Sequence, residues 1–174
     1  LGLYTYKRER DYRQMAENDY NMAFFVLVDY VQNVETYLAK SLISSTPEHG
    51  AETLTHVWRE ANLAQSYLAR LPIGSQELAN TSKFLNQVSD YSYYLSKKTI
   101  ENNSLNDEEF ANLKRLQEQC DTLNETLVKL ENDMNMKNVS WEELTKKEGN
   151  LPFAQEVSNV SQNNFANIEK NLQD

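Results

Sequence analysis

From Leu3 to Ser44 the chain contains neither glycine nor proline, and its apolar positions Tyr20, Phe24, Leu27, Val31, Val34, Leu38 and Leu42 recur at intervals of three and four. That period is the seam of one long helix packed against other helices. At 1.5 Å per residue such a helix runs on the order of 60 Å, far longer than the next helical segment can cover. Residues 1–17, which hold Lys7, Arg8, Glu9, Arg10, Asp11 and Arg13, are therefore expected to extend into solvent as a stalk. Ser44, Ser45, Thr46, Pro47 and Gly50 are expected to end the helix, because proline cannot continue the backbone ladder.

A second helix is predicted from near Ala51 to Leu71, with Leu54, Val57, Ala61, Ala64, Leu68 and Leu71 as its seam. Pro72 and Gly74 close it, and Ser75 offers an oxygen to cap a third. That third helix takes Leu78, Thr81, Leu85, Val88, Ser92 and Leu95 inward, with Phe84, Tyr91 and Tyr94 widening the face. A fourth begins at Asp107, Glu108 and Glu109, where the positive end of a helix dipole favours acidic side chains and Asn106 with Glu109 forms a capping box. Its seam is Phe110, Leu113, Leu116, Cys120, Leu123, Leu127, Leu130 and Met134.

Four amphipathic helices with short connections predict an all-α fold, an elongated antiparallel four-helix bundle with a long first helix and a short C-terminal helical extension. The bundle takes residues 1–137. Residues 138–174 are expected to be a short helix and a linker: Ser140 and Glu143 make a second capping box, Trp141 docks on the bundle end, and Gly149 stops the helix near Glu148. Beyond it Phe165, Ile168 and Leu172 share one face of a weak amphipathic segment.

Charge narrows the partners. The net charge of -9 opposes non-specific binding to nucleic acid or to an anionic membrane surface, both of which carry the same sign. No apolar run approaches the roughly 20 residues of a membrane span. The start LGLYTYKRER, apolar and aromatic and then basic, suits the flank of a removed N-terminal membrane anchor. The single Cys120 allows no intrachain disulfide.

Candidate chemistry is sparse. His56 and Glu60 stand at a spacing that can share a metal ion, but a solvated surface pair is the better reading, and Glu52 with His56 misses the Glu-x-x-His spacing of di-metal bundles. No metal or other cofactor is expected. The carboxylates Glu108, Glu109, Glu118, Asp121, Glu125, Glu131 and Asp133 lack the cleft that a hydrolytic pair requires. Cys120 on the seam is a core thiol rather than a nucleophile. Tyr91, Tyr93, Tyr94 and Trp58 form either a sugar platform or, better, core packing with the Tyr91 and Tyr94 hydroxyls reaching water. Asn62 and Asp90, at the core margin, are expected to hydrogen-bond between the second and third helices. The chain is read as non-enzymatic, and the exposed Tyr4, Tyr12 and Met15 offer a route to a homodimer.

The words VDYVQNVETYLAKSL, VWREANLAQ, LARLP and TSKFLNQVSDYSYYL, in this order, resemble the N-terminal region of the YpeB family of spore-germination proteins. The likeness runs from about Tyr20 to Leu130, and FANIEKNLQD resembles the family's linker. The resemblance implies a domain at the extracytoplasmic face of the inner spore membrane, held by an N-terminal anchor and followed by PepSY repeats. It further implies an accessory role in stabilising, localising or restraining the cortex-lytic hydrolase SleB, held either by this domain or by those repeats. Trp58, Arg59, Asn62, Asp90 and Tyr93 fall within the matching words and are expected to stay accessible to a partner. A ligand-sensing extracytoplasmic helical bundle of a bacterial receptor is the alternative function.

Overall fold

The computed structural model describes residues 1–44, 46–72, 75–102, 104–137 and 140–146. Among them all regular structure is helical: α1 (Gly2–Leu42), α2 (Pro47–Leu68), α3 (Ser75–Asn102), α4 (Asp107–Lys137) and α5 (Trp141–Lys146). The expectations placed on Gly74, on Gly149 and on the segment holding Phe165, Ile168 and Leu172 lie outside the described residues.

In α1 the predicted seam is the buried face, with Phe24, Leu27, Val31, Val34 and Leu38 at 1% exposure or less and Tyr20 and Leu42 half-buried at its ends. Residues 1–15 are helical from Gly2 onward and exposed throughout. The helix stops at Leu42, where Ser41 and Ser44 turn their hydroxyls back onto the carbonyls of Leu38 (2.6 Å) and Lys40 (2.9 Å). Hydroxyls bonded this way compete with the ladder and weaken it.

The start of α2 differs from expectation. Pro47 opens the helix and Gly50 lies inside it. Proline lacks only an N–H that has no intrahelical acceptor in the first turn, and its fixed φ suits that position. Thr46 caps the turn by accepting from the His49 N–H at 3.2 Å, and the helix ends at Leu68, three residues before the predicted Leu71. Leu71 is nevertheless buried, carried in by a turn in which its N–H bonds the Leu68 carbonyl at 3.1 Å.

The Asn106 box at the start of α4 forms in both directions: the Glu109 N–H donates to Asn106 Oδ1 (2.7 Å) and the Asn106 N–H to Glu109 Oε1 (3.0 Å). Phe110 is a correction, since it is 43% exposed rather than part of the seam. The inward place in that turn is taken by Glu109, which its cap and Lys98 hold buried.

Helix α1 packs along both α2 and α4, α2 also packs along α3, and α5 rests on α1. Gln117 of α4 donates to Glu35 of α1 at 2.9 Å, and Cys120 Sγ lies 3.8 Å from the Val31 carbonyl. Helices α3 and α4 meet through Asn112, which donates to the Tyr91 hydroxyl at 3.3 Å, and through Lys98 Nζ, 2.7 Å from Glu109 Oε2.

At the far end of α4, Glu17 of α1 closes α5. Its two carboxylate oxygens accept from the N–H groups of Trp141 (2.8 Å) and Glu142 (3.0 Å). Those are first-turn donors with no partner in their own helix, and Ser140 Oγ takes a third, from Glu143. The Trp141 indole donates to Asn21 at 2.8 Å and lies edge-on to Phe24, with ring centroids 5.4 Å apart. The predicted docking of Trp141 is therefore seen, against the α1 turns from Glu17 to Phe24.

Candidate functional site

Four of the five residues singled out in the sequence fall into two adjoining surface patches, and the fifth, Asp90, stands apart from both. Across the groove between α2 and α3, the Trp58 and Tyr93 rings lie 5.2 Å apart between centroids with planes inclined by 35°. Ser89 bridges beneath them: its hydroxyl lies 3.0 Å from Asn62 Oδ1, to which it donates, and 3.4 Å from the Trp58 carbonyl. Lys97 carries its ammonium 4.4 Å from the centroid of the Tyr93 ring, a cation–π arrangement. Trp58, Asn62 and Tyr93 thus belong together. The interhelical bond expected of Asn62 is present, with Ser89 of α3 rather than Asp90 as the residue across from it. Asp90 is exposed on α3 and takes no part in these contacts.

Arg59 turns the other way. Its guanidinium donates to His56 Nδ1 at 2.6 Å, which requires that nitrogen to be unprotonated because guanidinium can only donate. His56 in turn stacks on Tyr37 of α1, with centroids 4.9 Å apart and planes at 16°, and Lys40 Nζ sits 5.4 Å from the Tyr37 centroid. A cleft of about 450 Å³ opens beside this stack, lined by Tyr37, Lys40, His49, Glu52 and His56. Tyr37 and Lys40 were not foreseen; their signal was an aromatic and a cation at i and i+3, flanking the seam residue Leu38.

The remaining candidates are structural. Tyr91 is buried and its hydroxyl, rather than reaching water, accepts from Asn112. Burial raises its pKa to about 12, partly offset by that hydrogen bond. Burial likewise drives the Cys120 thiol far above its ordinary range, with Glu35 and Asp121 adding to it, so the thiolate form is suppressed. Among the described residues no three His, Cys, Asp or Glu side chains converge as metal ligands, and no helix is long and apolar enough to cross a membrane.

The geometry defines an all-helical domain whose distinctive surface groups are aromatic and cationic side chains set along two interhelical grooves. It belongs to the YpeB family of sporulation proteins: the model described as YpeB N-terminal matches residues 8–143. Among curated proteins it is similar to the Sporulation protein YpeB of Halalkalibacterium halodurans, 29% identical over 131 residues, which is 75% of this chain and 29% of that protein. It is 25% identical to the Sporulation protein YpeB of Oceanobacillus iheyensis, over 99% of this chain and 38% of the relative. The protein of the same name from Bacillus subtilis is also 25% identical, over 98% of this chain and 38% of its own length. The chain thus spans little more than a third of these relatives at most. No solved structure matches it. The receptor alternative finds no support in these names.

Proposed function

We propose that this chain is a non-enzymatic accessory domain of a sporulation protein, built as an elongated antiparallel four-helix bundle, that offers its α2–α3 groove to the cortex-lytic hydrolase SleB. The observation that carries the reading is the family match across residues 8–143. The bundle is supported by the contacts of α1, where Glu35 meets Gln117, Val31 meets Cys120 and Asn21 meets Trp141. Numbers rise along one partner as they fall along the other, as in opposed helices with short connections.

A binding role fits the chemistry of the groove. Trp58 and Tyr93 present a rigid aromatic pair that loses little side-chain freedom on contact, and aromatic side chains with Arg are the groups enriched where interfaces draw most of their affinity. The domain acts by holding its partner at the extracytoplasmic face of the inner spore membrane, stabilising, localising or restraining it until germination. Catalysis is not assigned to it: the nucleophile candidate Cys120 is sealed in the core.

Co-purification of the hydrolase with this chain and, separately, with the C-terminal part of a full-length relative tests the reading. Retention by this chain, lost on Trp58→Ala with an unchanged thermal midpoint, is the expected result. Charge reversal at Arg59 tests the other patch, and the α2–α3 assignment predicts a smaller effect there than for Trp58→Ala. Retention by the C-terminal part alone removes direct hydrolase contact from this domain.

A further inference from the structure

Where the end of α1 passes the start of α2, residues 37–44 face residues 49–56 across the cleft of about 450 Å³. That volume is within the range of about 300–1,000 Å³ that small-molecule sites occupy. The polar lining is divided by sign. Lys40 on the α1 wall brings an ammonium, set 5.4 Å from the Tyr37 ring centroid, and Glu52 on the α2 wall brings a carboxylate. They stand on opposite walls of one cleft, yet among the described residues neither is engaged in an ion pair.

The neutral groups extend the division. Because the Arg59 guanidinium donates to His56 Nδ1, the neutral imidazole carries its proton on Nε2. Arg59 lies outside the lining and Tyr37 stacks on the ring face, which leaves Nε2–H as the polar group this ring offers to the cleft. A metal site needs the reverse, an imidazole that donates its second N–H outward and presents a lone pair to the ion. Ser44 and Thr53 contribute the opposite capacity. Their hydroxyl protons are spent on the carbonyls of Lys40 (2.9 Å) and His49 (2.8 Å), so toward the cleft they can only accept.

A purely anionic ligand meets Lys40 and His56 here, but also the Glu52 carboxylate. A purely cationic one meets Glu52, but also the Lys40 ammonium. In each case a like-charge contact offsets the favourable one. A molecule carrying both signs satisfies both walls at once, and Tyr37 with Ile43, which is 82% exposed, gives its body an apolar surface to rest on.

We propose that this cleft binds a small zwitterion of about the size of a dipeptide. Lys40 and His56 Nε2–H hold its carboxylate, and Glu52 with the hydroxyl oxygens of Ser44 and Thr53 holds its ammonium. The inference rests on this cleft and not on the hydrolase reading, whose groove lies between α2 and α3.

The test is a titration of the nitrogen-15-labelled 174-residue chain with glycylglycine, N-acetylglycine and glycinamide, which carry both charges, the negative alone and the positive alone. Glycylglycine should shift the backbone amides of residues 37–44 and 49–56, with a dissociation constant on the order of millimolar and about tenfold below that of either other probe. Glu52→Gln should abolish the preference over N-acetylglycine, and Lys40→Gln the preference over glycinamide. Both side chains are exposed, so neither variant should move the thermal midpoint. Equal affinity for all three probes overturns the proposal, as does glycylglycine binding that survives both substitutions or shifts only residues outside the cleft. The absence of any shift at the highest soluble glycylglycine concentration overturns it too. So does a lowered thermal midpoint in both variants without probe binding, which assigns Lys40 and Glu52 to a bridge with each other.

Discussion

Helices α1 and α3 are both long and both bury one face, but they bury different chemistry. Toward the interior α1 turns Ala23, Phe24, Leu27, Val28, Val31, Val34 and Leu38, apolar until Ser41 at its end. Helix α3 mixes Phe84, Leu85, Val88, Tyr91 and Leu95 with Thr81, Ser89, Ser92, Ser96 and Thr99. The first face gains its stability from area removed from water. The second gives up part of that gain, because a buried hydroxyl costs free energy unless it is hydrogen-bonded. What it obtains is closeness and register. Ser89 and Ser92 are small, as are Ala61 and Ala64 on α2, and α2 with α3 share the most extensive contact of any helix pair among the described residues. Ser89 also converts that closeness into a fixed alignment through Asn62 and the Trp58 carbonyl, which holds the Trp58–Tyr93 pair in place. In this molecule α1 carries the stability and α3 carries the precision of the surface.

That contrast can be broken or sharpened by substitution. Leu27→Ala on α1 should cost about 2–5 kcal/mol in urea unfolding, the range for a fully buried leucine; a loss below 1 kcal/mol would mean the α1 seam is not the stabilising face. Glu17→Ala removes the acceptor for two first-turn donors of α5 and should cost about 1–2 kcal/mol. Trp141 fluorescence should shift to the red, since the indole then leaves its site on Phe24 and Asn21.

Ser92→Ala tests the other helix. Its hydroxyl is buried and meets no hydrogen-bond partner among the described residues, so the change should be neutral or stabilising by up to about 1 kcal/mol. A cost comparable to Leu27→Ala would erase the distinction between the two faces.

The smallest effect is a pH effect on α4. Burial, and then the Asp29 carboxylate of α1, raise the Glu131 carboxyl above its ordinary 4.5. The folded state therefore holds this proton more tightly than the unfolded one. The group opposes folding above its folded pKa, and the penalty fades as the pH falls toward 4.5. Glu131→Gln should raise the thermal midpoint at neutral pH and flatten its pH dependence just above the carboxylate range. Water screening at this only half-buried group limits the gain to a few tenths of a kcal/mol.

The seams of the first four helices were legible because a period of three and four survives any tertiary context that buries one face. The Asn106 capping box was legible for a related reason, since both its partners lie within one turn. Pro47 was misread because the same residue that stops one helix is well suited to open the next, and only the placement of Thr46 distinguishes the two roles. Phe110 was misread because the alternation of threes and fours leaves two positions per turn eligible, and Lys98 recruits Glu109 into the inner one. Of the candidate surface, Trp58, Asn62 and Tyr93 were legible as a group. The roles of Ser89 between them and of Glu17 under α5 were not. Those depend on partners 27 to 31 and 124 to 125 residues away, a separation at which local spacing carries no information.

The burial of Cys120 has a practical corollary. Its thiol lies between α4 and α1 against the Val31 carbonyl, shielded and held protonated. A thiol reagent reaches it only when those two helices part. The chain therefore contains its own clock: the rate of labelling at this one atom times the separation of α1 from α4, without any label being introduced, and distinguishes motions that open the core from those that merely loosen its ends.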